Sequence, residues 1–369
     1  MLPASPSEHV RGTFVSRQVA APSLSPVADV DNGLREARPS PLLVLPHMDR
    51  DRERIEAALH DAVVTPDAYL NEIASHLIVA GGKRLRPVLA VVASQLDGVA
   101  ATDDAVRGGV ACELVHLGSL YHDDVIDESD TRRGVETVNA KWGNLQAILA
   151  GDFLLARASE IAASLGTEVA GLLARTIGWL CEGEIEQLRH TYDTNRTEQS
   201  YLASIHGKTA SLYGTAARIG GIVAGLERPI IDALTAYGTA YGTVFQIVDD
   251  VLDIVATDEQ LGKPAGHDMV EGVYTLPVLR TLTAGTDDAK RLETMLGAPL
   301  DASQTAAALD IVRSHDGVAS AIATAHEHVA AAQSACDDFP PGEVAEALRA
   351  APGALLDTVA RAPSISAGA

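Results

Sequence analysis

The chain has 369 residues, with 28 lysines and arginines against 50 aspartates and glutamates, for a formal charge of −22. That balance counts against a nucleic-acid binder, which needs concentrated positive charge, and favours divalent cations as partners. Hydrophobic residues at 47% can fill a sizeable core, while 4% aromatics and abundant alanine favour close-packed helices over a strand-rich sandwich.

Residues 1–48 hold seven of the 17 prolines, several beside Ser or Ala, as in Ser5-Pro6 and Ser25-Pro26. Proline lacks an amide donor and fixes φ, so a disordered extension is expected there, with only the apolar patch Leu42 to Leu45 able to dock. From Asp49 apolar residues recur every three to four positions: Ile55, Leu59 and Val63, then Tyr69, Ile73 and Leu77. The same period runs through 85–96, 111–126, 145–165, 169–188, 201–223 and 230–255. It resumes in 287–296, 302–312, 319–336 and 344–356. Gly and Pro cluster between these runs, and no period-2 strand is found. The expected architecture is all-α, one large domain over 49–362 with a flexible tail at 363–369. Cys112, Cys181 and Cys336 form no CxxC pair, which fits a reducing, cytoplasmic setting. No apolar run reaches the ~18 residues of a membrane span, and the N-terminus lacks a secretory pattern.

The sharpest feature is Asp123-Asp124-Val125-Ile126-Asp127, matched by Asp249-Asp250-Val251-Leu252-Asp253. On a helix Asp123 and Asp127 share a face, with Asp124 about 100° to the side. Aspartate is a poor helix former, and three carboxylates on an apolar helix repel one another unless cations sit between them. Hard oxygen ligands in this pattern suit Mg²⁺, which keeps several waters and shares its shell with phosphate. A solvated acidic face is the bland alternative; two copies, both set in apolar sequence, favour a cage for a metal–diphosphate unit.

The cations tell a complementary story. Gly81-Gly82-Lys83-Arg84-Leu85-Arg86-Pro87 sets three cations between a glycine pair and the first turn of a helix, which favours an anion pocket. Arg132-Arg133 either contact an anion or merely compensate Asp127, Glu128 and Asp130. His116 lies two turns before Asp123 on roughly the same face, where a lone histidine is usually structural. Lys208-Thr209 has little packing reason in its helical run. Gln246 shares the face of Asp249 and either binds a ligand or caps local polarity, and Lys263 follows the second acidic cluster.

Taken in order, GGKRLRP, ELVHLGSLYHDDVIDESDTRRG, GDFLLARA, GEIEQL, KTASLYGTAA, FQIVDDVLDI, LGKPAGHD and YTLP resemble the trans-isoprenyl diphosphate synthases, the polyprenyl synthetase family. The resemblance implies a bundle around a central cavity (the isoprenoid synthase type) and a homodimer. It implies Mg²⁺, three ions per site, held by Asp123, Asp124, Asp127, Asp249, Asp250 and Asp253. Isopentenyl diphosphate would be bound by Lys83, Arg86, His116 and Arg133. The allylic diphosphate would be bound by Arg132, Lys208, Thr209, Gln246 and Lys263. Glu271-Gly272-Val273 departs from the pattern, because many relatives carry lysine in place of the valine.

The implied reaction is head-to-tail condensation of isopentenyl diphosphate with an allylic prenyl diphosphate, giving a longer all-trans product. Gly118 and Ser119, both small and beside or just below Asp123, stand where bulky aromatics stop elongation early in the family, so a long-chain product is expected, although Gly118 can equally be a helix-packing glycine. Tyr121 is expected to face away. A short-chain synthase is the nearest alternative. A class I terpene cyclase would not need the second DDVLD or the GGKRLRP stretch, and a non-catalytic subunit of a heteromeric prenyltransferase would lack intact acidic motifs. Long products suggest transient membrane contact.

Overall fold

The computed structural model describes residues 39–261 and 264–361. In chain order its helices are α1 (Met48–Ala62), α2 (Ala68–Val79), α3 (Leu85–Ala93), α4 (Asp103–Ile126), α5 (Val138–Trp142), α6 (Asn144–Ser164) and α7 (Thr167–Arg189). There follow α8 (Glu198–Ile205), α9 (Ser211–Val223), α10 (Arg228–Val255), α11 (Asp258–Leu261), α12 (His267–Val270) and α13 (Leu276–Leu282). The chain closes with α14 (Asp287–Met295), α15 (Ala302–Ser314), α16 (Gly317–Ala335) and α17 (Glu343–Leu356). The all-α expectation holds, apart from a small antiparallel hairpin pairing Thr131 with Glu136 and Arg132 with Val135.

Two long helices organise the body. Thr102 starts α4, its hydroxyl accepting from the Ala105 amide, with Asp103 and Asp104 favourably placed in the first turn. The helix is then buried almost without interruption from Ala105 to Gly118, packed on α3, α6 and α9. Its partner α10 begins at Arg228-Pro229, where a missing amide costs nothing. It crosses both apolar clusters: Leu234, Tyr237 and Tyr241 join the cluster of α1–α7 and α9. Val244, Ile247, Val251 and Ile254 join the cluster of α13–α16. No helix among the described residues is long and apolar enough to cross a membrane.

Two expectations change in detail. The run 201–223 is not one α-helix, because His206–Ala210 forms a π turn between α8 and α9. Such wider turns recur at functional sites, where they re-aim side chains. The apolar patch Leu42 to Leu45 docks on the body as expected, Leu42 fully buried and Pro41–Val44 in a 3₁₀ turn, so the folded body starts near residue 41 rather than at 49. Residues 1–38 and the tail at 363–369 lie outside the described residues.

Candidate active site

The first acidic cluster closes α4. Asp124 is completely buried; one carboxylate oxygen accepts from Arg132 Nε at 2.5 Å and the other has no hydrogen-bond partner. Asp123 and Asp127 stand on the neighbouring face. Burial lifts Asp123 above the usual carboxylate range; Lys208 and Arg132 pull it down and Glu184 and Asp124 push it up. Asp127, at the rim, is raised to about 6 by loss of solvent and by Glu271, Asp123 and Glu184, against the pull of Lys208.

The second cluster lies near the end of α10. Asp250 is 2% exposed and both its oxygens are engaged, by Tyr201 O–H at 2.5 Å and by Gln246 Nε2 at 2.8 Å. Burial raises it to about 7 despite those two donors, and Asp249 and Asp253 add to the rise. Asp253 is also buried and accepts from the Asp268 amide, which ties it to the segment bearing Glu271. Asp249 is exposed.

The π turn joins the two clusters. Lys208 Nζ pairs with Glu184 at 2.6 Å; burial opposes its charge, but Asp123, Glu184 and Asp127 outweigh that and hold the ammonium above its ordinary value. The next residue, Thr209, donates to Gln246 Oε1 at 2.7 Å, and Gln246 in turn donates to Asp250. One turn of backbone thus aims a cation at the α4 acids and a hydroxyl at the α10 acids. Close approach to α7 makes this possible: a Cβ on Gly207 would lie 2.5 Å from the Trp179 carbonyl oxygen, and one on Gly183 would lie 2.6 Å from the Lys208 amide nitrogen. Glu271, just beyond α12, acts on Asp127 from the other side.

A basic cluster adjoins the end of α4. Arg86 is buried, its guanidinium 4.6 Å from the Tyr213 ring centroid and its Nε without a hydrogen-bond partner. Arg133 donates to the carbonyls of Leu77 and Gly81. Burial, then the charges of Arg86, Arg133, Arg132 and Arg84, push His116 well below its ordinary value, which keeps the ring neutral. Cations crowded in this way stabilise an anion. Lys83 is exposed. Arg84 has a separate job: it bonds Glu56, Glu113 and the Ile78 carbonyl, joining α1, α2 and α4. Arg84, Glu128, Arg133 and Tyr192, all around these clusters, have positive φ, an uncommon cost for non-glycine residues.

Among the described residues no three acids or histidines converge closely enough to hold a metal ion by themselves. The donor set fits Mg²⁺ nonetheless: it is all oxygen, Asp124 Oδ2 is buried without a partner, and the raised carboxyls need positive charge nearby. Mg²⁺ takes one or two carboxylates and fills its shell with water and phosphate. Lys263 lies outside the described residues. Gly118 fits the helix-packing reading: a Cβ there would lie 3.0 Å from the Gly151 carbonyl oxygen and 3.3 Å from Leu155 Cγ, so its absence lets α4 approach α6. Ser119 is half-buried and bonds its own helix at the His116 carbonyl. Tyr121 faces α2, donating to the Ile73 carbonyl. Sequence reasoning assigned no role to Glu184, Tyr201 or Arg196. Glu184 sat inside the noted GEIEQL stretch, whereas nothing local marked the other two.

An all-α body with acidic clusters on two long helices and an arginine-rich cluster beside them defines an isoprenoid synthase. The sequence profile of the polyprenyl synthetase family matches residues 67–312, and the chain belongs to that family. It is similar to heptaprenyl diphosphate synthase component 2 of Geobacillus stearothermophilus, with 39% identity over 81% of this chain and 93% of that one. Nonaprenyl diphosphate synthase of Mycobacterium tuberculosis is 37% identical over 73% of this chain and 80% of its own. The solved polyprenyl synthase from Caulobacter crescentus CB15, complexed with calcium and isoprenyl diphosphate, superposes with a TM-score of 0.80 at 32% identity. That superposition covers 90% of this chain and 99% of the other.

Proposed function

We propose that the protein is a Mg²⁺-dependent polyprenyl diphosphate synthase that lengthens an allylic prenyl diphosphate with isopentenyl diphosphate. The carrying observation is the π turn, whose Lys208 serves the α4 acids while Thr209 reaches the α10 acids through Gln246. The six aspartates would hold the metal ions, three per site, and bound Mg²⁺ would neutralise and withdraw charge from the allylic diphosphate. Lys208, Arg132 and Thr209 would orient that diphosphate as its bond to C1 breaks, and Lys263 would add a cation. Arg86, Arg133, His116 and Lys83 would hold isopentenyl diphosphate with its alkene near C1. The alkene attacks C1, a proton leaves to restore the double bond, and the departing diphosphate accepts it.

The names of the heptaprenyl and nonaprenyl relatives support a long-chain product. The test is chromatography of products from the purified chain with Mg²⁺, labelled isopentenyl diphosphate and farnesyl or geranylgeranyl diphosphate. Elongation abolished by chelation is expected; a hydrocarbon from a single substrate would instead identify a cyclase.

The functional unit is a homodimer working in the cytoplasm, with the folded body from about residue 41 onward as its catalytic domain. Supporting this, α6 and α7 form an antiparallel hairpin that exposes Leu145, Ile148, Leu149, Trp179, Ile185 and Leu188 at one end. A contiguous apolar patch of this kind demands a cover, and a second copy supplies a self-complementary one. The name "component 2" keeps one other reading: a different chain covers the same face, and the purified protein is inactive until it is added.

A further inference from the structure

The hydroxyl of Tyr201 touches neither helix end of the bundle nor solvent; it is spent on Asp250. The ring is 1% exposed, and phenylalanine would fill the same space within the cluster around α10 and α13. Packing alone therefore does not explain why a polar atom is buried here. Desolvating a hydroxyl is costly, and the cost is met by a 2.5 Å bond to Asp250 Oδ2. Gln246 takes Oδ1 at 2.8 Å, so two donors on opposite sides fix the plane of one carboxylate. Each carboxylate oxygen has about two acceptor positions, which leaves one on each oxygen for a cation.

A further layer stands behind the tyrosine. The Arg196 guanidinium lies 5.8 Å from the Tyr201 ring centroid and is itself buried. Its Nη2 donates to Ser204 Oγ at 2.5 Å and Nη1 to the Tyr274 carbonyl at 3.4 Å. Ser204 also donates to the Tyr201 carbonyl, one turn back on α8. The rotamer of Tyr201 is thereby locked from below while its hydroxyl points at the acid. Outer partners of this kind orient metal-ligating carboxylates and tune their affinity.

We propose that Tyr201 is a positioning residue for the second metal-binding cluster: its hydroxyl, held in place over Arg196, presets Asp250 for a cation bridging to diphosphate. This rests on the reading of the site as a metal–diphosphate centre. Tyr201→Phe removes only the hydroxyl. In the full-length chain, Mn²⁺ binding followed by electron paramagnetic resonance in the presence of inorganic diphosphate should weaken roughly tenfold. The Mg²⁺ concentration for half-maximal elongation should rise by about the same factor. The KM for isopentenyl diphosphate should stay at its wild-type value. In an Asp250→Asn background the same substitution should cost nothing further, because the hydroxyl then has no carboxylate to set. Wild-type Mn²⁺ affinity in Tyr201→Phe, or an equal loss in both backgrounds, overturns the proposal. A wild-type chain that fails to bind Mn²⁺ with diphosphate overturns instead the reading of the site itself.

Discussion

At the scale of single residues, the site stores unfavourable charge. Burial holds Asp250 at about 7, and lost solvent with neighbouring acids holds Asp127 at about 6, both far above the usual 3.8. In the metal-free protein the folded state therefore keeps protons that the unfolded chain has already released. Stability falls as pH rises from about 4 through about 7, the reverse of a salt-bridged carboxylate. Melting temperatures in chelator should drop between about pH 4 and pH 7, and Asp127→Asn with Asp250→Asn should flatten that slope. A double variant as pH-sensitive as the wild type would remove this account. The two acidic clusters stand out in the sequence because a charge run inside an apolar helix breaks its own pattern. Tyr201 does not, since a tyrosine at core spacing looks like any other core residue. The three cations of Lys83, Arg84 and Arg86 look alike in sequence, and only the fold sends Lys83 to solvent and Arg84 to Glu56 and Glu113.

At the scale of elements, the long helices followed from apolar period, but the short helices α5 and α11–α13 and the helix contacts did not. The π turn at His206–Ala210 has the same apolar spacing as its flanks, so nothing in the pattern separates its wider hydrogen bonding from an α-helix. Gly118 shows what this costs in function. Spacing put it beside Ser119 below Asp123, yet its Cβ position is filled by Gly151 and Leu155 of α6. Gly118→Phe is therefore expected to pry α4 from α6 and to destabilise by about 1–3 kcal/mol or more, the usual cost of overpacking. Ser119→Phe, one turn from Asp123 on the same helix face, should leave the melting temperature near wild type and shorten the product. Product chromatography beside thermal melts separates the two. Unchanged chain length in Ser119→Phe would move the floor of the channel away from α4.

At the scale of the whole molecule, the single-chain sequence could not distinguish apolar residues that fill a core from those that wait for a partner. Leu145, Ile148 and Leu149 share the helical period of α6, and Trp179, Ile185 and Leu188 that of α7, so all six read as core. Folding leaves them exposed instead, Leu145 at 74% and Leu149 at 67%, on the two arms of one hairpin. Those arms reach the catalytic pocket directly, because α7 also carries Glu184 and the Gly183 contact that seats the π turn. Charging the patch should then do two things at once. Leu149→Lys with Ile185→Asp, both at exposed positions, should convert a dimer to a monomer in sedimentation velocity while preserving helix content. Activity should fall with it, since α7 loses the support that keeps Lys208 turned towards Asp123. A variant that stays dimeric would place the interface elsewhere, and a fully active monomer would show that the pocket needs no second copy.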